Sequence, residues 1–268
     1  MSTVIENILA RRGKKVPIND GRKIALVLFG GLITGVRGGG AIVALDELGL
    51  ANVFDEVYVI SAGLPNISYL LAGGTQLGIS IYYQDLIGRR FINFLRFWKI
   101  VDIDYLISVF KNTKPLNVQN ILNCQTKVYV ALRHVQTDKI KYLEIHDYAP
   151  SAYFELLEAT ISIPYLHPGA VSINGSRYMD VGNYNGGFLH VQKAIDAGAT
   201  DILVVYNNRE QKTHCFDNDS IFEILPDNDW ELSRFETKPE VIIAAAEQMG
   251  SLVKKVFHSQ ETVKIKWP

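Results

Sequence analysis

Residues 24–48 read IALVLFGGLITGVRGGGAIVALDEL, and this stretch decides the fold class. Ile24 to Phe29 is a continuous apolar run of strand length, without the polar alternation of a strand that faces water. A glycine-rich turn follows. From Gly38 to Leu50, Ile42, Leu45 and Leu48 recur at helical spacing. Outward from this strand–turn–helix unit the alternation continues. Val57 to Ile60 reads as a second short strand, and Leu64 to Ala72 as a helix stopped by Gly73-Gly74. Lys127 to Arg133 and Lys139 to Ile145 read as half-buried strands, and Tyr153 to Ser162 as a helix ended before Pro164. Leu189 to Ala197 is a helix before the buried strand Asp201 to Tyr206, and Glu240 to Phe257 a terminal amphipathic helix. Strands alternating with helices predict an α/β fold with a mainly parallel sheet. In such sheets chemistry collects beyond the C-terminal ends of the strands.

Composition narrows the function classes. Of 268 residues, 48% are hydrophobic and 21% charged, a globular mix that excludes bulk disorder. The net charge of -1 gives no basic excess for nucleic acid. Cys124 and Cys215 are too few for a disulfide framework or a four-thiolate metal site. No apolar run reaches the roughly 20 residues of a membrane span. Arg11, Arg12, Lys14 and Lys15 precede the first strand with no small-x-small cleavage site after it. Residues 1–21 therefore read as a solvated basic arm at a cytoplasmic start, and residues 22–268 as one α/β domain.

Two turns carry the candidate chemistry. The first, GGLITGVRGGG, spans Gly30 to Gly40. It is not a Walker A loop, because Gly35 is followed by Val36-Arg37 instead of Lys-Ser/Thr. It is not a Rossmann fingerprint, because Gly38-Gly39-Gly40 lacks the third spaced glycine. An oxyanion hole and a merely tight packing turn both remain. The second turn, VISAG at 59–63, puts Ser61 between a strand and a helix. There it reads as a nucleophile on an elbow or, equally, as a helix N-cap.

Taken together and in order, these residues resemble the patatin-like phospholipases. Gly30 to Gly35 falls on that family's G-G-G-x-R-G, and Gly40 with Ala44-Leu45-Asp46-Glu47 continues it. VISAG falls on the family's G-x-S-x-G, and SRYMDVGNYNGG on its D-G-[GA] segment with Asp180 as the aspartate. AIDAGATDILVV continues the likeness, which runs from about Arg22 to Phe257. The departures are Leu32 for the third glycine, Thr34 for the arginine, Val59 for the first elbow glycine and Val181 for the glycine after the aspartate.

The resemblance implies a three-layer α/β/α patatin-like fold and a serine lipid acyl hydrolase working through an acyl-enzyme. Ser61 would be nucleophile and Asp180 general base, with backbone N–H groups of Gly30, Gly31 and Leu32 as the oxyanion hole. Thr34, Gly35, Arg37, Gly63 and Gly182 would support them, Arg37 as a substitute for the cation missing at Thr34. No metal or organic cofactor is implied. The substrate would be a lipid or fatty-acyl ester. A Ser61–Asp180–His214 triad also fits the chain order of α/β-hydrolases, and His167 is expected on a loop near the site. Two other readings stay open: a catalytically impaired lipid-binding relative, and a nucleotide-binding domain using the Gly30–Gly40 loop.

Residues 81–100, IYYQDLIGRRFINFLRFWKI, interleave Arg89, Arg90, Arg96 and Lys99 with aromatics. The pattern fits a cover helix, or a pocket wall and peripheral membrane-facing edge.

Overall fold

The computed structural model describes residues 3–264 except 97–98, 165, 167–168, 183–187 and 228–230; side chains are described through 258. Eight strands form one sheet: β1 (Ile24–Leu28), β2 (Glu56–Val59), β3 (Lys127–His134), β4 (Lys139–Glu144), β5 (Val171–Ile173), β6 (Ser176–Asp180), β7 (Asp201–Val205) and β8 (Ile221–Ile224). Hydrogen-bonded neighbours run β5-β6-β3-β2-β1-β7-β8, and β4 also pairs with β3. The central β3-β2-β1-β7-β8 portion is parallel. Every residue of β1, β2 and β7 is buried, which is why those segments are apolar on both faces. Two apolar clusters sandwich the sheet. One holds Leu26, Leu28, Val57 and Val59, the other Ala25, Val27, Tyr58 and Val204. This is the three-layer α/β/α architecture expected from the sequence.

The helices are α1 (Thr3–Leu9), α2 (Val36–Glu47), α3 (Gly63–Ala72), α4 (Thr75–Gln84), α5 (Ile103–Ser108), α6 (Val118–Leu122), α7 (Tyr153–Ile161), α8 (Phe188–Asp196) and α9 (Pro239–Lys264). Among the described residues no helix is long and apolar enough to cross a membrane. The glycine-rich turn is shorter than its composition suggests. It ends at Gly35, and Gly38, Gly39 and Gly40 lie inside α2. A Cβ on Gly40 would sit 2.1 Å from the Ala246 carbonyl oxygen, so that glycine lets α2 lie directly on α9. Cβ atoms on Gly38 and Gly39 would meet Asn207, Asn66 and Ile79. Their missing side chains are filled by protein, which leaves no phosphate cradle there.

Two other expectations need correction. The N-terminal segment is not simply a solvated arm: α1 buries Val4, Ile5 and Ile8, and the Arg11 side chain is fully buried. Arg12, Lys14 and Lys15 are exposed as expected. Residues 81–100 do not form one cover helix. α4 ends at Gln84, a short 3-10 turn covers Gly88–Arg90, and an isolated bridge joins Ile92 to Val101. Gly88 in a left-handed conformation (φ 73°) breaks the helical path.

β3 has three partners but only two edges. β2 and β4 both pair with Tyr129 and Val130, so they lie on opposite edges. β4 and β6 both pair with residues 132–134, so they too lie on opposite edges. β2 and β6 therefore share one edge of β3, and their C-terminal ends meet head to head. Val59 of β2 stands opposite Val130, and Asp180 of β6 opposite Leu132. This arrangement carries Asp180 to the end of the strand that leads into Ser61.

Candidate active site

Ser61 is the second residue after β2 and holds φ at +51°, a left-handed conformation unusual for serine. It is no N-cap: α3 begins after Ala62, and no side chain caps its first turn. The backbone doubles back into α3 through hydrogen bonds from Gly63 to the Ile60 carbonyl (2.9 Å) and from Leu64 to the Ser61 carbonyl (3.0 Å). Gly63 is required by space, since a Cβ there would lie 2.9 Å from the Leu28 carbonyl oxygen. Pro65 is tolerated because it falls in the first helical turn. Val59 lies within β2, buried in the core and with no positive φ. The bend begins after it, so a branched side chain fits where the resemblance led us to expect glycine.

Gly30 packs against this elbow. A Cβ on Gly30 would stand 2.3 Å from Ser61 Cβ and 2.8 Å from its Oγ. Gly31 has φ 145°, and Leu32, the non-glycine at the third position, is left-handed at φ 56°. No acceptor among the described residues takes the N–H of Gly31, Leu32 or Ala62. The turn itself is pinned from below. Asn207 donates from Nδ2 to the carbonyls of Phe29 (2.5 Å) and Gly30 (2.8 Å), and Gln211 donates to Gly30 (2.8 Å). Asn207 Oδ1 accepts from the Gly38 N–H (2.6 Å).

Thr34 and Arg37 act in this scaffold. The Thr34 hydroxyl donates to the Gly31 carbonyl (2.9 Å) and accepts from Asn208 Nδ2 (3.0 Å). The buried Arg37 guanidinium donates to the Asn207 carbonyl (2.8 Å) and Asn208 Oδ1 (3.3 Å). Arg37 does not line the cleft over Ser61; burial lowers its pKa. Gly35 packs on Ala62 and Tyr82, where a Cβ would come within 2.7 Å and 2.9 Å.

Asp180 is fully buried apart from a sliver of surface. Its Oδ1 accepts from the Gly182 N–H at 2.5 Å, and its own N–H donates to the Ser162 carbonyl at 3.1 Å. Gly182 reaches this position in a left-handed conformation (φ 65°). Val181 packs into the second apolar cluster. Asp180 Oδ2 is buried and accepts no well-formed hydrogen bond among the described residues. Burial raises the carboxyl to a pKa of about 6, against the opposing pull of the Ser61 hydroxyl and the Gly182 N–H. A carboxyl raised in this way can take up and release a proton near neutral pH.

Two cavities meet at Leu32, Ser61 and Ile163. One is a narrow apolar cavity of about 40 Å³ running between Tyr69, Ile81, Tyr82, Leu86, Phe91 and Phe110. The other is an open cleft of about 440 Å³ whose walls include Asp180, His190, Gln211, Arg234 and Phe235. His190 was not singled out by the sequence. It is buried, its Nδ1 is 2.8 Å from the Tyr142 hydroxyl, and burial lowers it to a pKa of about 4, so it is neutral at pH 7. His214, the alternative triad member, is exposed, stacks edge-on against Phe188 and Phe216, and does not line the cleft. His167 lies outside the described residues.

No protein-family model matches the chain. An uncharacterized Escherichia coli K12 protein, YjjU, is 28% identical over 204 residues, covering 70% of this chain and 53% of that protein. The chain thus spans about half the length of this curated relative. Among solved structures, VipD from Legionella pneumophila superposes with a TM-score of 0.55 at 11% identity, over 89% of this chain and 67% of that one. At that identity the likeness concerns the fold, and the fold is the three-layer patatin-like one that the sequence led us to expect.

Proposed function

We propose that the protein is a serine acyl hydrolase acting on lipid esters, with Ser61 as nucleophile and Asp180 as base. One observation carries the reading: a left-handed serine and a buried, partly unsatisfied carboxylate line the same cleft and interact where an apolar cavity joins it. An ester with an acyl chain on one side and a polar alcohol on the other matches that junction.

In the first half-reaction Ser61 Oγ attacks the ester carbonyl carbon while its proton passes to Asp180. The carbonyl oxygen takes the negative charge and is held by the N–H groups of the Gly30–Leu32 turn and Ala62. The intermediate collapses, the C–O bond to the alcohol breaks, and Asp180 returns the proton to the departing oxygen. In the second half, water attacks the acyl-serine and gives its proton to Asp180. Collapse then releases the carboxylic acid, and Ser61 recovers its proton. Thr34, Gly35, Arg37 and Asn207 hold the turn and touch no reacting atom.

The test is a series of p-nitrophenyl esters of increasing chain length. Turnover that disappears in Ser61→Ala and improves with acyl length supports the reading. A catalytically impaired lipid-binding protein would bind the esters without turnover, and that outcome would sink the hydrolase proposal.

A further inference from the structure

Among the described residues the two most exposed large apolar side chains are neighbours: Phe94, 57% exposed, and Leu95, 70% exposed. Their exposure is enforced by the loop that carries them. The bridge between Ile92 and Val101 closes its base, and the Asn93 N–H donates to the Ile100 carbonyl at 2.8 Å. Asn93 Oδ1 accepts from the Leu95 N–H at 3.0 Å, and the Arg96 N–H returns to the Asn93 carbonyl at 3.0 Å. The Arg96 guanidinium binds Asp102 at 2.9 Å and the carbonyls of Arg90 and Phe91 at 3.1 and 3.0 Å. A loop this heavily tied holds its apolar tip in water at a standing cost.

The tip stands beside the candidate active site. Phe91 and Val101, at the base of the loop, line the apolar cavity. Phe94 packs edge-on against Phe235 with ring centroids 5.2 Å apart, and Phe235 lines the cleft over Ser61. Two exposed arginines precede the tip in the chain. Arg96 and Lys99 are neutralised by Asp102 and Asp104, whereas Arg89 and Arg90 are exposed and face no carboxylate among the described residues. Arg90 is held 4.2 Å over the Tyr105 ring.

We propose that Phe94 and Leu95 insert into an anionic lipid surface, with Arg89 and Arg90 on its head groups, and that this docking sets the cleft mouth against the membrane. The proposal rests on the lipid-ester reading for its purpose but not for its test. A two-residue apolar tip preceded by two exposed arginines suits head-group penetration, in which apolar burial and attraction to anionic lipid act together.

The experiment uses the full chain carrying Ser61→Ala, so that vesicles stay intact, and sedimentation with vesicles of phosphatidylcholine with and without phosphatidylglycerol. Binding is expected to be stronger with phosphatidylglycerol and to weaken as salt rises. Phe94→Ser with Leu95→Ser is expected to lower partitioning about tenfold or more. Arg89→Glu with Arg90→Glu is expected to remove the preference for the anionic lipid. Absence of binding by the parent, equal binding by the tip variant, or a tip variant that only abolishes self-association would overturn the proposal. Labelling of Ser61 by a soluble fluorophosphonate, with Ser61 restored, separates the two readings. The tip variant should label as fast as the native chain. Vesicle docking without any labelling would leave this surface standing and remove the hydrolase.

Discussion

Where the parallel strands begin, buried charge is matched atom by atom. The fully buried Arg11 donates to Asp20 at 2.8 and 2.7 Å, to Asp55 at 2.6 Å, and to the carbonyls of Val53 and Arg22. Glu56 takes Lys23 on one oxygen (2.7 Å) and the Tyr58 hydroxyl on the other (2.8 Å). Asp201 accepts from Asn7 and Thr200. Where the same strands end, the pattern reverses. Asp180 keeps a bare buried oxygen, the amides of Gly31, Leu32 and Ala62 have no described acceptor, and Leu32 and Ser61 sit left-handed. Strain and unpaired polar groups persist only where surrounding structure over-determines them, and they mark function more often than stability. The sheet thus carries its anchorage at one end and its candidate chemistry at the other.

The contrast can be broken by substitutions at either end. The largest effect is expected for Asp180→Asn, which keeps the acceptor for Gly182 but removes the proposed base. Ester kcat/KM should fall about 1000-fold or more. Gly30→Ala should lose activity on the same order, because its methyl would occupy the space of Ser61 Cβ. If either variant keeps near-native kcat/KM, the site does not work as described.

At the opposite end Arg11→Ala should cost about 3–5 kcal/mol of stability, by denaturant titration, with no change in kcat/KM while the protein is folded. The signs of the pH dependence also differ between the ends. Arg11 holds Asp20 at a pKa of about 2, below its ordinary value. Its contribution is therefore present above about pH 4 and lost as pH falls towards 2. Asp180 is raised, so its charged form destabilises the fold as pH climbs from about 4 to 6, and the penalty is complete above that. Asp180→Asn should consequently be more stable than the native chain at pH 7 by about 3 kcal/mol, with the difference vanishing near pH 4. Thermal melts at the two pH values check this. The smallest effect on stability is that of Ser61→Gly. It should gain about 1 kcal/mol by relieving the left-handed serine while abolishing turnover. A loss of stability in that variant would mean the elbow is not strained.

Much of this was legible in sequence, for local reasons. β1 and β2 announced themselves as apolar runs, and the elbow followed from the serine–alanine–glycine step between strand and helix. That Ser61 and Asp180 line one cleft was to be expected only through the family resemblance. Its physical cause, β6 taking over the edge of β3 that β2 leaves, is a long-range pairing that no local pattern encodes. The glycines of α2 were misleading for a related reason: their need arises from distant packing partners, Gly40 from Ala246 of α9 and Gly38 from Asn207 after β7. Asn207 left a signal that could have been read, since it follows directly on a buried strand at the sheet end where function gathers. His190 left none. Its ordinary helical setting gives no hint that its ring lines the cleft.

The central claim is that the buried Asp180 carboxylate activates the Ser61 hydroxyl. The rate of fluorophosphonate labelling as a function of pH, with the adduct mapped by mass spectrometry, tests it most directly. The account predicts one adduct, on Ser61, forming at a rate that rises through about pH 6 and collapses in Asp180→Asn. An adduct on another residue, or a Ser61 rate indifferent to both pH and the loss of the carboxylate, would contradict it.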